Sequence, residues 1–266
     1  MNPSLVPPTP QAIDAPDALR RDAAVDLAVA GVAVLAAAAA LATWGALGPD
    51  VAVKALLVYL AGAWLVWRGL HAAGAHPHTR FGPANRVTLF RLAALCLMAA
   101  LVGEAVPASP PGALPVAAWA LVVFATFTAL LDAVDGALAR RSGLASRFGA
   151  RFDMETDAAF ILVLCALVLQ AGQAGAWVLA SGLMRYAFVG AARVLPWLGG
   201  PLPPSRRRQT VCVVQITALI VCLGPIVPAP LAAAIAAASL LLLAWSFAID
   251  VIHLARHRHA PPESSP

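Results

Sequence analysis

Apolar residues gather in runs of about 20, the length an α-helix needs to cross a hydrocarbon core, and glycine, proline and charged residues separate them. Eight runs stand out: Val25 to Leu47, Val51 to Leu70, Val87 to Val106, Val116 to Ala139, Phe152 to Ala171, Trp177 to Leu195, Val211 to Val227 and Leu231 to Leu254. They predict an all-α polytopic membrane protein with eight transmembrane helices. The breaks around Gly103 to Gly112, Gly172 to Ala176 and Gly224 to Pro230 are short and rich in Gly and Pro. Residues 1–24, with prolines at positions 3, 7, 8, 10 and 16, read as a disordered cytosolic tail, and 259–266 as a C-terminal tail. Residues 25–79 form a two-helix hairpin and linker, and residues 80–258 a six-helix core.

Composition narrows the class. Mean hydropathy is +0.81 and only 12% of residues are charged, so no separate soluble domain is left over. Of the 18 basic residues, Lys54 alone falls in a loop on the outer side. Arg20, Arg21, Arg80, Arg86, Arg140, Arg141, Arg147, Arg151, the run Arg206 to Arg208, Arg256 and Arg258 sit at alternate ends. That asymmetry predicts a multi-pass protein of the cytoplasmic (inner) membrane with both termini in the cytosol. The net charge of +5 is then a topology signal, with some attraction for anionic headgroups. Nucleic acid is not an expected partner, since no aromatic and basic soluble module is present. Arg20 and Arg21 precede an Ala-rich run in the manner of a twin-arginine leader, but Asp26 interrupts it and the run is too long. Cys96, Cys165, Cys212 and Cys222 lie inside the runs without metal-ligand spacing, so neither zinc nor a disulfide framework is expected.

The chemistry concentrates between residues 132 and 157, in the frame D-x2-D-G-x2-A-R-x8-G-x3-D-x3-D. Asp132 and Asp135 are i and i+3 on a helix, and Asp153 and Asp157 are i and i+4, so each pair projects from one face. A tight turn around Ser142, Gly143 and Ser146 would set the two helices antiparallel and bring the pairs opposite one another. Four carboxylates in a poorly hydrated cleft repel and take up protons unless cations neutralise them. Two divalent ions would supply that charge. Oxygen ligands without His or Cys favour Mg²⁺ or Mn²⁺, and paired hard cations favour phosphoryl transfer.

This frame resembles the signature of the CDP-alcohol phosphotransferases (CDP-alcohol phosphatidyltransferases), membrane enzymes that displace CMP from a CDP-alcohol with the hydroxyl of a second alcohol. Pro83, Asn85, Thr88 and Arg91 are similar to the P-N-x-x-T-x-x-R stretch that opens the family's six-helix core, with Ala84 inserted. The resemblance implies Asp132, Asp135, Asp153 and Asp157 as ligands of the two ions, with Asp157 also the base that takes the acceptor's proton. It places Gly136, Ala139, Arg140, Gly149, Asn85, Thr88 and Arg91 on the nucleotide and diphosphate. The small Gly136 and Ala139 leave room for the cytidine beside the aspartates, and Arg140 neutralises the diphosphate. It further implies a homodimer.

The implied donor is CDP-diacylglycerol or another CDP-alcohol. For the acceptor, Arg185 and Arg193 are eight residues apart, about 80° round a helix, and an arginine as deep as Arg185 calls for an anion or water. Their spacing resembles that of phosphatidylglycerophosphate synthases, so with Arg147, Arg151 and the Arg206 to Arg208 cluster they are candidates to hold the phosphate of glycerol 3-phosphate or another phosphorylated polyol. Snorkelling at the surface is the plainer reading for Arg193 and the cluster. Glu155 points away from both aspartates of its helix. The six histidines read as interface residues, with His76 and His78 spaced for adventitious metal binding. Asp26 and Asp250, near the ends of runs, need only interfacial water. Two other functions fit the composition: a transporter with an intramembrane aspartate relay, and an idle membrane scaffold.

Overall fold

A computed structural model describes residues 10–44, 47–48, 50–71, 76–104 and 115–258, apart from the side chains of residues 10–16, Trp44 and Arg140. Among these residues the chain is helical throughout, with no strand. Its α-helices are α1 (Pro10–Trp44), α2 (Asp50–Leu70), α3 (Pro83–Ala100), α4 (Val116–Ser142), α5 (Arg147–Gln170), α6 (Leu179–Val194), α7 (Arg206–Cys222) and α8 (Ala229–His257). Single 3-10 turns at Ala176–Val178 and Pro196–Gly199 flank α6.

Among the described residues, four helical segments are long and apolar enough to cross a membrane: Asp17–Thr43, Asp50–Leu70, Val116–Ala139 and Ala229–His257. The others fall short for physical reasons. At 1.5 Å per residue the 16 residues of α6 and 17 of α7 reach only about 24 to 26 Å, against a hydrocarbon core of about 30 Å. Helix α5 carries Arg147, Arg151, Asp153, Glu155 and Asp157 in its first three turns.

Several helix ends differ from the sequence reading; α5, for one, begins at Arg147 rather than Phe152. Helix α1 begins at Pro10, so residues 10–24, expected as an irregular tail, are helical. An i,i+3 pair of Arg20 with Asp17 at 3.2 Å and an ion pair at Asp22 favour that extension. Helix α3 stops at Ala100 rather than Val106, and the chain turns at Gly103, whose φ of +85° suits only glycine. Helix α7 starts at Arg206, earlier than expected, after the extended Ser205. It ends at Cys222, ahead of Gly224 and Pro225, which break it.

The chain forms two compact units, residues 1–106 with 127–156 and residues 107–126 with 157–266. In the first, α1 and α2 pack on each other and both pack on α3. Glycines allow close approach here. A Cβ on Gly31 would lie 2.9 Å from the Tyr59 ring, and one on Gly62 would lie 3.2 Å from Leu92. The Tyr59 hydroxyl donates to the Leu27 carbonyl. At one end of α3, Arg86 pairs through Nη2 with Asp22 at 2.9 Å and through Nε with Asp26 at 2.7 Å. The Phe81 amide donates to Asp22 at 2.9 Å. Beyond the other end, Glu104 takes the Lys54 ammonium, which also reaches Asp50 at 3.2 Å. Asp26, expected to need only water, is thus ion-paired to the core. Phe81, Phe148 and Phe152 form an aromatic cluster between the starts of α3 and α5.

In the second unit, α7 and α8 pack along each other. Asp250 of α8 is buried and receives Arg207 Nη2 at 2.5 Å and Arg208 Nη1 at 3.3 Å. Interfacial water is therefore not what satisfies Asp250. A charge in so apolar a helix is held by cations from its neighbour. Gly182 of α6 faces α5: an added Cβ would stand 2.5 Å from the Leu162 Cα, so the two backbones meet with no room for a side chain. Cys96, Cys165 and Cys222 are buried free thiols, as packing residues should be.

Candidate metal centre

Two local features prepare the carboxylates. Helix α4 ends before Gly143, whose φ of +66° turns the chain at little strain. Ser146 then caps α5: its hydroxyl accepts the Gly149 amide at 3.0 Å, and its carbonyl accepts the Ala150 amide at 3.1 Å. His76 locks the cap from outside. Its Nε2 bonds the Arg80 carbonyl at 2.8 Å, an acceptor only, so Nε2 carries the proton and Nδ1 accepts from the Ser146 hydroxyl at 2.8 Å. Burial lowers the His76 pKa below its ordinary 6.5.

Asp132 and Asp135 of α4 and Asp153 of α5 then converge, each offering an oxygen within 4.8 Å of the others. Arg91 of α3 reaches all three with one nitrogen. Its Nη1 lies 2.9 Å from Asp132 Oδ1, 2.9 Å from Asp135 Oδ2 and 2.7 Å from Asp153 Oδ1. That nitrogen has two hydrogens for three oxygens, and one guanidinium charge cannot balance three carboxylates. The donor set is all oxygen, with one atom from each residue within 4.8 Å of the others, which suits a hard divalent cation. The centre has a closed side and an open one: the Asp135 side chain is 5% exposed, those of Asp132 and Asp153 33% and 39%.

Helix α3 brings Thr88 and Arg91 to the carboxylates. Asn85, Thr88 and Arg91, three apart, are all buried. Thr88 Oγ1 lies 3.1 Å from Asp135 Oδ2, and Asn85 Nδ2 donates to the Phe81 carbonyl. A Cβ on Gly149 would stand 2.8 Å from Asn85 Oδ1, so the glycine lets α5 approach α3 without displacing the Asn85 side chain. Arg91, expected on the nucleotide, is in contact with the carboxylates themselves. Gly136 and Ala139 are half-buried on α4. The Arg140 side chain lies outside the described residues.

Asp157 is one turn beyond Asp153 on α5 and is not one of the three converging carboxylates. Its Oδ2 lies 3.7 Å from the Cys212 thiol, a contact sequence spacing does not reveal. Arg147 and Arg151 are exposed on the first turns of α5. On α6, Arg185 is half-buried and Arg193 exposed. Of the Arg206 to Arg208 cluster, Arg207 also donates to the Ser246 hydroxyl and carbonyl, and Arg208 to the Pro203 carbonyl. These two cations tie α7 to α8.

A family model described as CDP-alcohol phosphatidyltransferase matches residues 81–251, well over half of the chain. No curated protein and no solved structure matches it.

Proposed function

The chain belongs to the CDP-alcohol phosphatidyltransferase family, and from that premise we propose that it transfers the phosphatidyl group of CDP-diacylglycerol to a phosphorylated polyol such as glycerol 3-phosphate, releasing CMP. The family supports CDP-alcohol phosphotransferase activity and generally uses divalent metal ions. The observation that supports the reading most is the clustering of Asp132, Asp135 and Asp153, three members of the signature, whose oxygens lie within 4.8 Å of one another around Nη1 of buried Arg91.

In this reading Asp132, Asp135, Asp153 and Asp157 hold two Mg²⁺ or Mn²⁺ ions. Bound there, the ions neutralise the diphosphate and steady the charge on attacking and leaving oxygens. The acceptor oxygen forms a bond to the β-phosphorus while the bond from that phosphorus to the bridging oxygen breaks. Asp157 takes the acceptor's proton, and CMP leaves with its own phosphate. Gly136 and Ala139 leave space for the nucleotide, and Asn85, Thr88, Gly149 and Arg140 line it. Arg185, with Arg193, Arg147 and Arg151, receives the acceptor's phosphate. The six helices from α3 to α8 form the catalytic domain, α1 and α2 an added hairpin, and all eight lie in the cytoplasmic membrane with both termini inside.

The test is CMP release by the purified protein in detergent with Mg²⁺ or Mn²⁺ and CDP-diacylglycerol, run against phosphorylated polyols, serine and choline. Acceptor-dependent release greatest with glycerol 3-phosphate supports the proposal. Release with serine or choline alone would refute the acceptor. No release from any CDP-alcohol would refute the enzyme, and ion flux without nucleotide would point to transport.

A further inference from the structure

The family signature does not call for α1 and α2, yet they are fastened to α3 at both of its ends. We propose that this hairpin is a brace that sets α3 in register with the carboxylates, with Asp22, Asp26 and Arg86 as positioning residues for Asn85, Thr88 and Arg91. The proposal rests on the metal-dependent reading of that centre.

The connection can be followed atom by atom. Arg86 binds two acids of α1 at once, Asp22 through Nη2 and Asp26 through Nε. Asp22 uses its other oxygen to accept the Phe81 amide at 2.9 Å. The Phe81 carbonyl accepts the Asn85 side chain. Asp22 and Asn85 therefore grip opposite sides of one residue, immediately before Gly82, where φ of +88° turns the chain into α3. Asn85 in turn fills the space above Gly149. One and two turns further along α3, Thr88 reaches Asp135 and Arg91 reaches all three carboxylates. Midway, Leu92 packs on Gly62 of α2, and past the far end Lys54 holds Glu104, whose side chain is 11% exposed.

Stability alone is a weak reason for this arrangement. The Arg86 side chain is 52% exposed, and ion pairs that open to solvent contribute little. Position is a stronger reason. Groups that orient a metal's ligands change affinity or rate about 10- to 100-fold when removed, and an Arg86 forked between two acids cannot slide along α1 without losing one of them. The aromatic cluster extends the brace to α5, since Phe81 packs on Phe148 and Phe152, and Phe152 precedes Asp153.

The experiment uses the full chain in nanodiscs, as wild type, Asp22→Asn/Asp26→Asn, Arg86→Gln and Arg86→Lys. Mn²⁺ binding by electron paramagnetic resonance, the KM for CDP-diacylglycerol, thermal midpoint and backbone hydrogen exchange are compared. The double variant and Arg86→Gln should weaken Mn²⁺ binding and raise the donor KM about tenfold. They should also speed exchange over residues 85–92 while leaving α7 and α8 unchanged, and Arg86→Lys, whose single nitrogen cannot fork between both acids, should recover only part of the loss. A lowered midpoint with Mn²⁺ affinity and donor KM intact would overturn the brace, as would exchange that rises evenly along the chain. Should the double variant not fold, Asp26→Asn, which leaves Asp22 on Phe81, reads the same quantities. If the wild type releases no CMP from any CDP-alcohol, the enzyme reading fails alone. Unchanged exchange at residues 85–92 still overturns the brace.

Discussion

At the scale of single residues, Asp157 and Gly149 separate chemistry from shape. Asp157→Asn removes a base but keeps the side chain's size. It should lower CMP release by about 100-fold or more, as for a lost general base, while the fold and some nucleotide binding, measured by calorimetry, remain. Substantial turnover in that variant would move the proton to another group. Gly149→Ala brings a methyl to 2.8 Å from Asn85 Oδ1. The Asn85 side chain must shift, at a cost of up to about 1 to 3 kcal/mol for overpacking of this kind. The expected result is a raised donor KM with the fold retained by circular dichroism; an unchanged KM would detach Asn85 from the nucleotide. The aspartate frame was legible because its spacing is local. The role of Arg91 was not, because its contacts with Asp135 and Asp153 span 44 and 62 residues, and periodicity says nothing about partners at that distance.

Between elements, small residues and turns decide what meets what. Gly182→Ala places a Cβ 2.5 Å from the Leu162 Cα, a backbone atom that cannot step aside. Helices α5 and α6 must separate, and a loss of at least about 1 to 3 kcal/mol should appear as a lower midpoint; a thermal midpoint equal to the wild type would contradict that packing. The connection into α3 carries a pH dependence. Because burial holds the folded pKa of His76 below 6.5, protonation favours the unfolded chain. The stability it contributes is present above pH 6.5 and is lost as pH falls toward the lowered value. His76→Gln should flatten that slope in thermal melts, and an unaltered slope would exonerate the histidine. The order of helices followed from the apolar runs and their Gly and Pro breaks. The ties at Arg86 and Asp250 did not, since each joins acids and bases more than 40 residues apart whose pairing only packing decides.

For the whole molecule, activity should depend on a hard cation. Chelation should remove CMP release, and Mg²⁺ or Mn²⁺ should restore it; activity that survives exhaustive chelation would end the metal-centre reading. The ion pairs between the hairpin and the core, Asp22 and Asp26 with Arg86 and Lys54 with Glu104, join residues on opposite sides of the segment between Leu70 and Pro83. A protease cut there would break the chain but none of those contacts. The two pieces should co-purify, and the same protein should be obtainable from two separately expressed polypeptides that find each other within the bilayer.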